Sequence, residues 1–429
     1  MTTPTPSTGG RRAAIGGALR RYGLVSISSA LVSVAHLVAQ ACAIARLPAS
    51  DIGMLAFAIT LIQFGFGLSN ALVCAPHSVA AAREGRVGRT VAVLTMVGTW
   101  LAIGYGALSG AIVAAGTSGQ AGIGFGVATA LLLLRWFARN DAYIRDQPMQ
   151  AAWSDLAYAV VLSGWSVATL LTGGDFVQVA IGFVIASAAG MLCFAPMLGD
   201  LVRPFAPVRD YLPIWRGQAS WALMGVATTE ATSNAHSYLV TAMLGPAAFA
   251  PLGVAVLFLR PLNVVITALT QTERPRMARE LAEGGAPAAY RSLRHFRMVL
   301  FLIWGATVVL AGGILAFAAH LVVPATLDAG AVRVAVALSA VIALIQCALV
   351  PPSVLLQAAD RFRSLAMTSV LACGVSVVSV VLLLWFLPAA WTLAGIALGQ
   401  LAMFAGIRAA ERAWRGSTGQ MRTGMDGHA

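Results

Sequence analysis

The chain is 429 residues long; 59% of them are hydrophobic and only 10% are charged, and the mean hydropathy is +0.82. A soluble domain is nearer half apolar and a quarter charged, so this composition excludes an ordinary water-soluble globule and points to a membrane. All 28 basic residues are arginine, set against 16 acidic residues for a formal charge of +12, and they fall in short clusters between apolar runs, which argues against a nucleic-acid partner.

In chain order, a polar start rich in Thr, Pro and Gly (1–10) precedes the first apolar run without a secretory signal, so a short cytoplasmic tail is expected. Twelve helical spans follow, near 22–45, 53–75, 90–115, 121–138, 152–172, 177–198, 218–243, 250–272, 298–323, 332–354, 365–387 and 389–409. Twelve crossings at about 20 residues each use about 240 residues, most of the apolar content, and leave little for a soluble domain. The expected fold is an all-α polytopic membrane protein of about twelve transmembrane helices, in two six-helix bundles around a central cavity. Its parts are an N-tail (1–21), a first bundle (22–200), a linker (201–217), a second bundle (218–410) and a C-tail (411–429).

The connections alternate in charge. One set, with both tails, holds 25 Arg when Arg135 at a span edge is included; the opposite set holds Arg46 and Arg333, and Arg260 lies within a span. This asymmetry places both termini on the cytoplasmic side of the inner (plasma) membrane. The longest connection, 273–297, is expected to include an amphipathic stretch on the anionic leaflet. Cys42, Cys74, Cys193, Cys347 and Cys373 all lie in apolar runs with no metal-ligand spacing and read as small buried thiols. Gly106 and Gly110, Gly122 and Gly126, and Gly395 and Gly399 are small-xxx-small pairs suited to close helix packing. Phosphate loops, metal-binding histidine pairs and nucleophile elbows are absent, so neither an enzyme nor a cofactor is expected.

The first hairpin turn, Arg46-Leu47-Pro48-Ala49-Ser50-Asp51-Ile52-Gly53, and the later one, Met243-Leu244-Gly245-Pro246, form a loose internal repeat in which Pro48 and Pro246 align at an offset of 198. Around these turns the chain resembles the oligosaccharide flippases, the O-antigen (Wzx-type) and exopolysaccharide transporters of the MOP superfamily, which also holds the MATE drug antiporters. Arg46, Leu47, Pro48, Asp51 and Gly53 match the first hairpin of that family, which lacks its usual Gly before the Pro here. Leu244, Gly245 and Pro246 match the second-half hairpin, where Ala250 replaces a common Gly. A different stretch, Arg83-Glu84-Gly85-Arg86-Val87-Gly88-Arg89, resembles a short basic loop of major facilitator transporters, with Gly85 in place of an Asp.

Polar residues inside the spans are the candidate site, because a charge at the bilayer centre costs at least about 2.5–3.5 kcal/mol and normally faces a wet path or a partner. Glu230 and Arg260 lie at nearly equal depth on either side of the turn near 246, placed either to pair or to face a cavity. Glu230, Asn234, Ser237 and Thr241 form one helical stripe; Arg260, Asn263, Thr267 and Thr270 form another. Ser26, Ser29, Ser33, His36 and Gln40 share a face of the first span, and Thr60, Gln63, Gly67 and Asn70 a face of the second. Arg135, Arg139, Asp141 and Arg145 cluster at a cytoplasmic edge, as anchoring charge or as a diphosphate contact, with Asp155 a candidate partner. Trp153, Tyr158, Trp215 and Trp221 read as interfacial aromatics, and Pro351-Pro352 as a bend or break.

The resemblance implies an alternating-access flippase for a polyprenyl-diphosphate-linked oligosaccharide in surface polysaccharide biosynthesis. Arg260 and Arg135 would meet the anionic headgroup, Asn234, Asn263, Asn70, Gln63 and His36 the sugar, and Glu230 a coupling H+ or Na+. Other polysaccharide assembly proteins are the further partners that reading entails. The alternatives are a small-molecule or drug exporter, MATE-like or of the facilitator type, and a polysaccharide polymerase or ligase.

Overall fold

The computed structural model describes residues 30–84, 89–197, 199, 205–359 and 361–425. The expected N-tail, Ser26, Ser29 and the centre of the facilitator-like loop (85–88) lie outside the described residues. Among the described residues every regular element is helical. Among these described residues nine helices are long and apolar enough to cross a membrane, and two shorter apolar helices accompany them. With Ser220–Leu244, whose Thr, Ser, Glu and Asn residues lower its hydropathy, these nine long and two shorter helices correspond to the twelve expected spans.

In the first half these are α1 (Ala30–Ile44), α2 (Ala49–Ser69, continuing through a π turn, Asn70–Cys74, into Ala75–Glu84), α3 (Arg89–Gly116), α4 (Gly119–Ile144), α5 (Pro148–Thr172) and α6 (Phe176–Leu192). In the second they are α7 (Ser220–Leu244), α8 (Pro246–Glu283), α9 (Gly285–Phe317), α10 (Ala329–Ala358), α11 (Phe362–Phe386) and α12 (Thr392–Met425). Local chemistry sets the ends. Ser118, Asp175 and Asp328 cap α4, α6 and α10 by accepting from the backbone N–H of Ala121, Gln178 and Gly330. Pro148 and Pro246 open α5 and α8, where a missing N–H costs nothing.

The connection 273–297 is helical on both sides of one break. Gly285, at φ +67°, turns the chain between α8 and α9. The helix outlasts its apolar run because Arg276 pairs with Glu273 and Glu280 one turn away on either side. Helix α10 keeps its helical course through Pro351 and Pro352, both buried, so of the expected bend or break it is not a break. The cysteines are free thiols, buried or half-buried.

The chain divides into two compact units. Unit 1 comprises Met1–Arg46 and Leu61–Ala222; unit 2 comprises Leu47–Thr60 and Leu223–Ala429. The division therefore falls inside α2. In unit 1, α3 lies on α4 through the two glycine pairs: a Cβ on Gly106 would sit 2.7 Å from the carbonyl oxygen of Gly126, and one on Gly110 2.7 Å from that of Gly122. In unit 2, α12 lies on α11 in the same way, with Gly395 against the backbone of Val380 and Gly399 against Ser376. The first turns of α2 run along α8. Gly53 lies so close to the carbonyl of Pro246 that any side chain there would overlap it, and Phe57 packs edge-on to Phe249 and Tyr238. The two repeat-related turns thus meet within unit 2, which explains why residues 47–60 belong to it.

Candidate functional site

Each unit holds a polar assembly in otherwise apolar surroundings. In unit 1 it is a ladder across α1, α5 and α4. His36 Nε2 lies 2.7 Å from the hydroxyl of Tyr158. The guanidinium of Arg135 stands over the Tyr158 ring, 4.6 Å from its centroid, and pairs with Asp155. Arg135 Nε donates to Ser154 Oγ at 2.9 Å, and that hydroxyl donates to the carbonyl of Gly190 at 2.8 Å. The other carboxylate oxygen of Asp155 takes Arg139 at 2.9 Å. Asp155 is wholly buried, and Arg135 and Arg139 are 4% and 8% exposed. Gly190 makes room for them: a Cβ there would come within 2.7 Å of Arg135 Nε. One turn further along α4, Asp141 binds Arg145 at 2.5 Å and faces His77 at 3.9 Å. A buried cation is tolerated only where carboxylate, hydroxyl and ring partners replace water, and Arg135 has all three.

The sequence placed Tyr158 among interfacial aromatics. It is fully buried instead, because its hydroxyl reaches His36 and its ring carries Arg135, while Trp153 and Trp221 are exposed. Gln63 and Asn70 are exposed on α2, two turns apart, and Asn70 opens the π turn. Such π turns recur at functional sites.

In unit 2 the assembly is on α7. Glu230 Oε1 accepts from the phenol of Tyr238 at 2.7 Å, and its carboxylate also takes a hydrogen bond from Asn234 between them. Glu230 thus takes a phenol and a carboxamide from its own helix. Tyr238 is a site residue that a search for small polar side chains passes over. Its spacing of eight from Glu230, two helical turns, was the available signal. On α8, Arg260 is half-buried and Asn263 and Thr267 are exposed along one face. Thr267 donates to the carbonyl of Asn263 at 2.9 Å, so its hydroxyl serves its own helix. No group of three or more His, Cys, Asp or Glu residues suited to a metal ion occurs among the described residues.

No protein-family model matches the chain, and no curated protein matches it in sequence. Solved structures do. An inward-facing multidrug resistance MATE family transporter of the MOP superfamily superposes with a TM-score of 0.63 at 12% identity, covering 89% of this chain and 95% of that one. The fold is MATE-like. An outward-facing MATE family transporter matches with a TM-score of 0.59 at 14% identity over 92% of this chain and 96% of its own length. A eukaryotic MATE transporter matches with a TM-score of 0.60 at 16% identity, over 91% and 95%. The solved structures it resembles are transporters rather than enzymes, two of them described as members of the MOP superfamily. The apolar helices and this fold are those of a multi-pass membrane protein.

Proposed function

We propose that the chain is an alternating-access flippase that carries a polyprenyl-diphosphate-linked oligosaccharide across the inner membrane for surface polysaccharide biosynthesis. The observation that carries this reading is the face of α8, where a half-buried Arg260 and an exposed Asn263 interrupt a helix otherwise apolar enough to span a bilayer. A guanidinium is rare within a span, and its planar fork suits a phosphate ester. Asn234, Asn263, Gln63 and Asn70 supply amides for sugar hydroxyls, while the polyprenyl tail stays in lipid. Glu230, held by Tyr238, takes the coupling H+ or Na+. His36 and Arg135 act from within the buried ladder, positioning α1, α4 and α5, rather than by reaching an open surface. The resemblance of the two hairpin turns to oligosaccharide flippases supports the substrate class.

A second reading, a small-molecule exporter, draws support from the multidrug MATE transporters among its structural neighbours. The two part in a strain that depends on this chain. The flippase reading expects Arg260→Ala to abolish surface polysaccharide and to accumulate lipid-linked repeat units on the inner leaflet. Normal polysaccharide at normal protein level removes Arg260 from the mechanism. Drug sensitivity on deletion with polysaccharide intact selects the exporter.

A further inference from the structure

Away from these residues, unit 2 holds a cavity of about 380 Å³ at the start of α9 and the later turns of α12, lined by Tyr290, Leu293, Arg294, Arg297, Arg408 and Arg415. Four of the six lining residues are arginines. Glu411, 1% exposed, lies behind them and holds two, binding Arg408 at 2.8 Å and Arg415 at 2.5 Å. Tyr290 fixes Arg415 a second time: Arg415 Nε donates to its hydroxyl at 2.6 Å, and the guanidinium lies 4.0 Å from the ring centroid. Below them Leu293 and Trp414 are buried in the apolar core of the unit. Arg294 and Arg297 have no carboxylate partner among the described residues.

Anchoring by positive charge requires only that arginines lie on the cytoplasmic side; it does not require them to converge. Here one buried carboxylate and one phenol hold two guanidiniums in place, and two more open onto the same cavity with no carboxylate partner among the described residues. Convergent like charges repel, and an anion of about two charges relieves that repulsion while taking forked hydrogen bonds. The volume is within the usual range of ligand pockets, about 300–1,000 Å³. Basic pockets between transmembrane helices on this side are suited to phosphate-bearing headgroups.

We propose that the Arg294–Arg297–Arg408–Arg415 cavity is a binding site for a phosphate-bearing dianion, distinct from the α8 face and independent of the transport reading above. A lipid headgroup and a free phosphate compound present the same chemistry, so two probes separate them. The full chain is reconstituted in phosphatidylcholine nanodiscs and titrated calorimetrically with sodium pyrophosphate. In parallel, nanodiscs doped with cardiolipin are analysed for lipid retained by the protein after exchange into phosphatidylcholine. Saturable binding of either probe is expected, with affinity or retention lowered roughly tenfold or more by Arg294→Gln with Arg297→Gln. The control Arg291→Gln, on the same helix but outside the cavity, is expected to bind as the parent does. Pyrophosphate binding assigns a soluble diphosphate; cardiolipin retention alone assigns a membrane lipid. Failure of both probes to bind, or an equal loss in the Arg291→Gln control, overturns the proposal.

Discussion

Replacing Asp155 by Asn removes the one carboxylate shared by Arg135 and Arg139 and leaves both guanidiniums in place. Asp155 is wholly buried and its two partners are nearly so, and the substitution is close to isosteric, so it tests charge rather than shape. Taking away one partner of a buried ion cluster costs about 3–5 kcal/mol, because the remaining charge is neither hydrated nor paired. For a unit of this size that corresponds to a drop in melting temperature of roughly 10 °C. The measurement is monodisperse protein remaining after heating in detergent, followed by fluorescence-detected size-exclusion chromatography. A companion variant sharpens the test. Arg135→Met, Arg139→Leu and Asp155→Leu together remove the whole cluster, and a well-packed apolar replacement of a buried ion cluster is often neutral. The triple variant is therefore expected to melt above the single one. If Asp155→Asn melts within about 2 °C of the parent, the ladder is not the electrostatic unit described here and the reasoning fails.

The same heating assay checks two packing predictions. Gly110→Val puts a branched side chain against the backbone of Gly122 and should destabilise unit 1 by about 1–3 kcal/mol; a variant as stable as the parent would mean that α3 and α4 do not approach through their glycines. Tyr158→Phe keeps the ring beneath Arg135 but loses the bond to His36, and should cost about 1 kcal/mol, well short of the loss in Asp155→Asn. In vesicles, Glu230→Gln is expected to abolish proton-driven uptake, and unchanged uptake would remove Glu230 from coupling.

The likeness to solved transporters, at 12% to 16% identity, gives the fold alone, so the cargo of this chain has to be argued from its side chains. On α8 that argument rests on Arg260 and Asn263. It does not extend to Thr267, whose hydroxyl is bonded within its own helix. The arginines divide into kinds that a formal charge of +12 conceals: those on connections, those paired in the buried ladder of unit 1, those converging on the cavity of unit 2, and Arg260 within a span.

The number and type of elements were legible from the residues alone, since a run of about 20 apolar residues in lipid has to be helical to satisfy its own backbone, and the period of a helix assigns residues to faces. The glycine pairs were legible for the same reason: Gly106 and Gly110 face Gly122 and Gly126 because small residues one turn apart let two backbones approach. What a polar residue on such a face meets was not legible, because its partner is distant in the chain. His36 and Tyr158 are 122 residues apart, and Arg415 and Tyr290 are 125 apart. Periodicity gives Glu230 and Arg260 similar depths and sets Tyr238 two turns from Glu230 on the same helix, whereas it is the packing of helices that buries Arg135 against Asp155. Depth in the membrane follows from counting residues, whereas pairing depends on which faces turn toward each other, and that is decided by side-chain packing between helices.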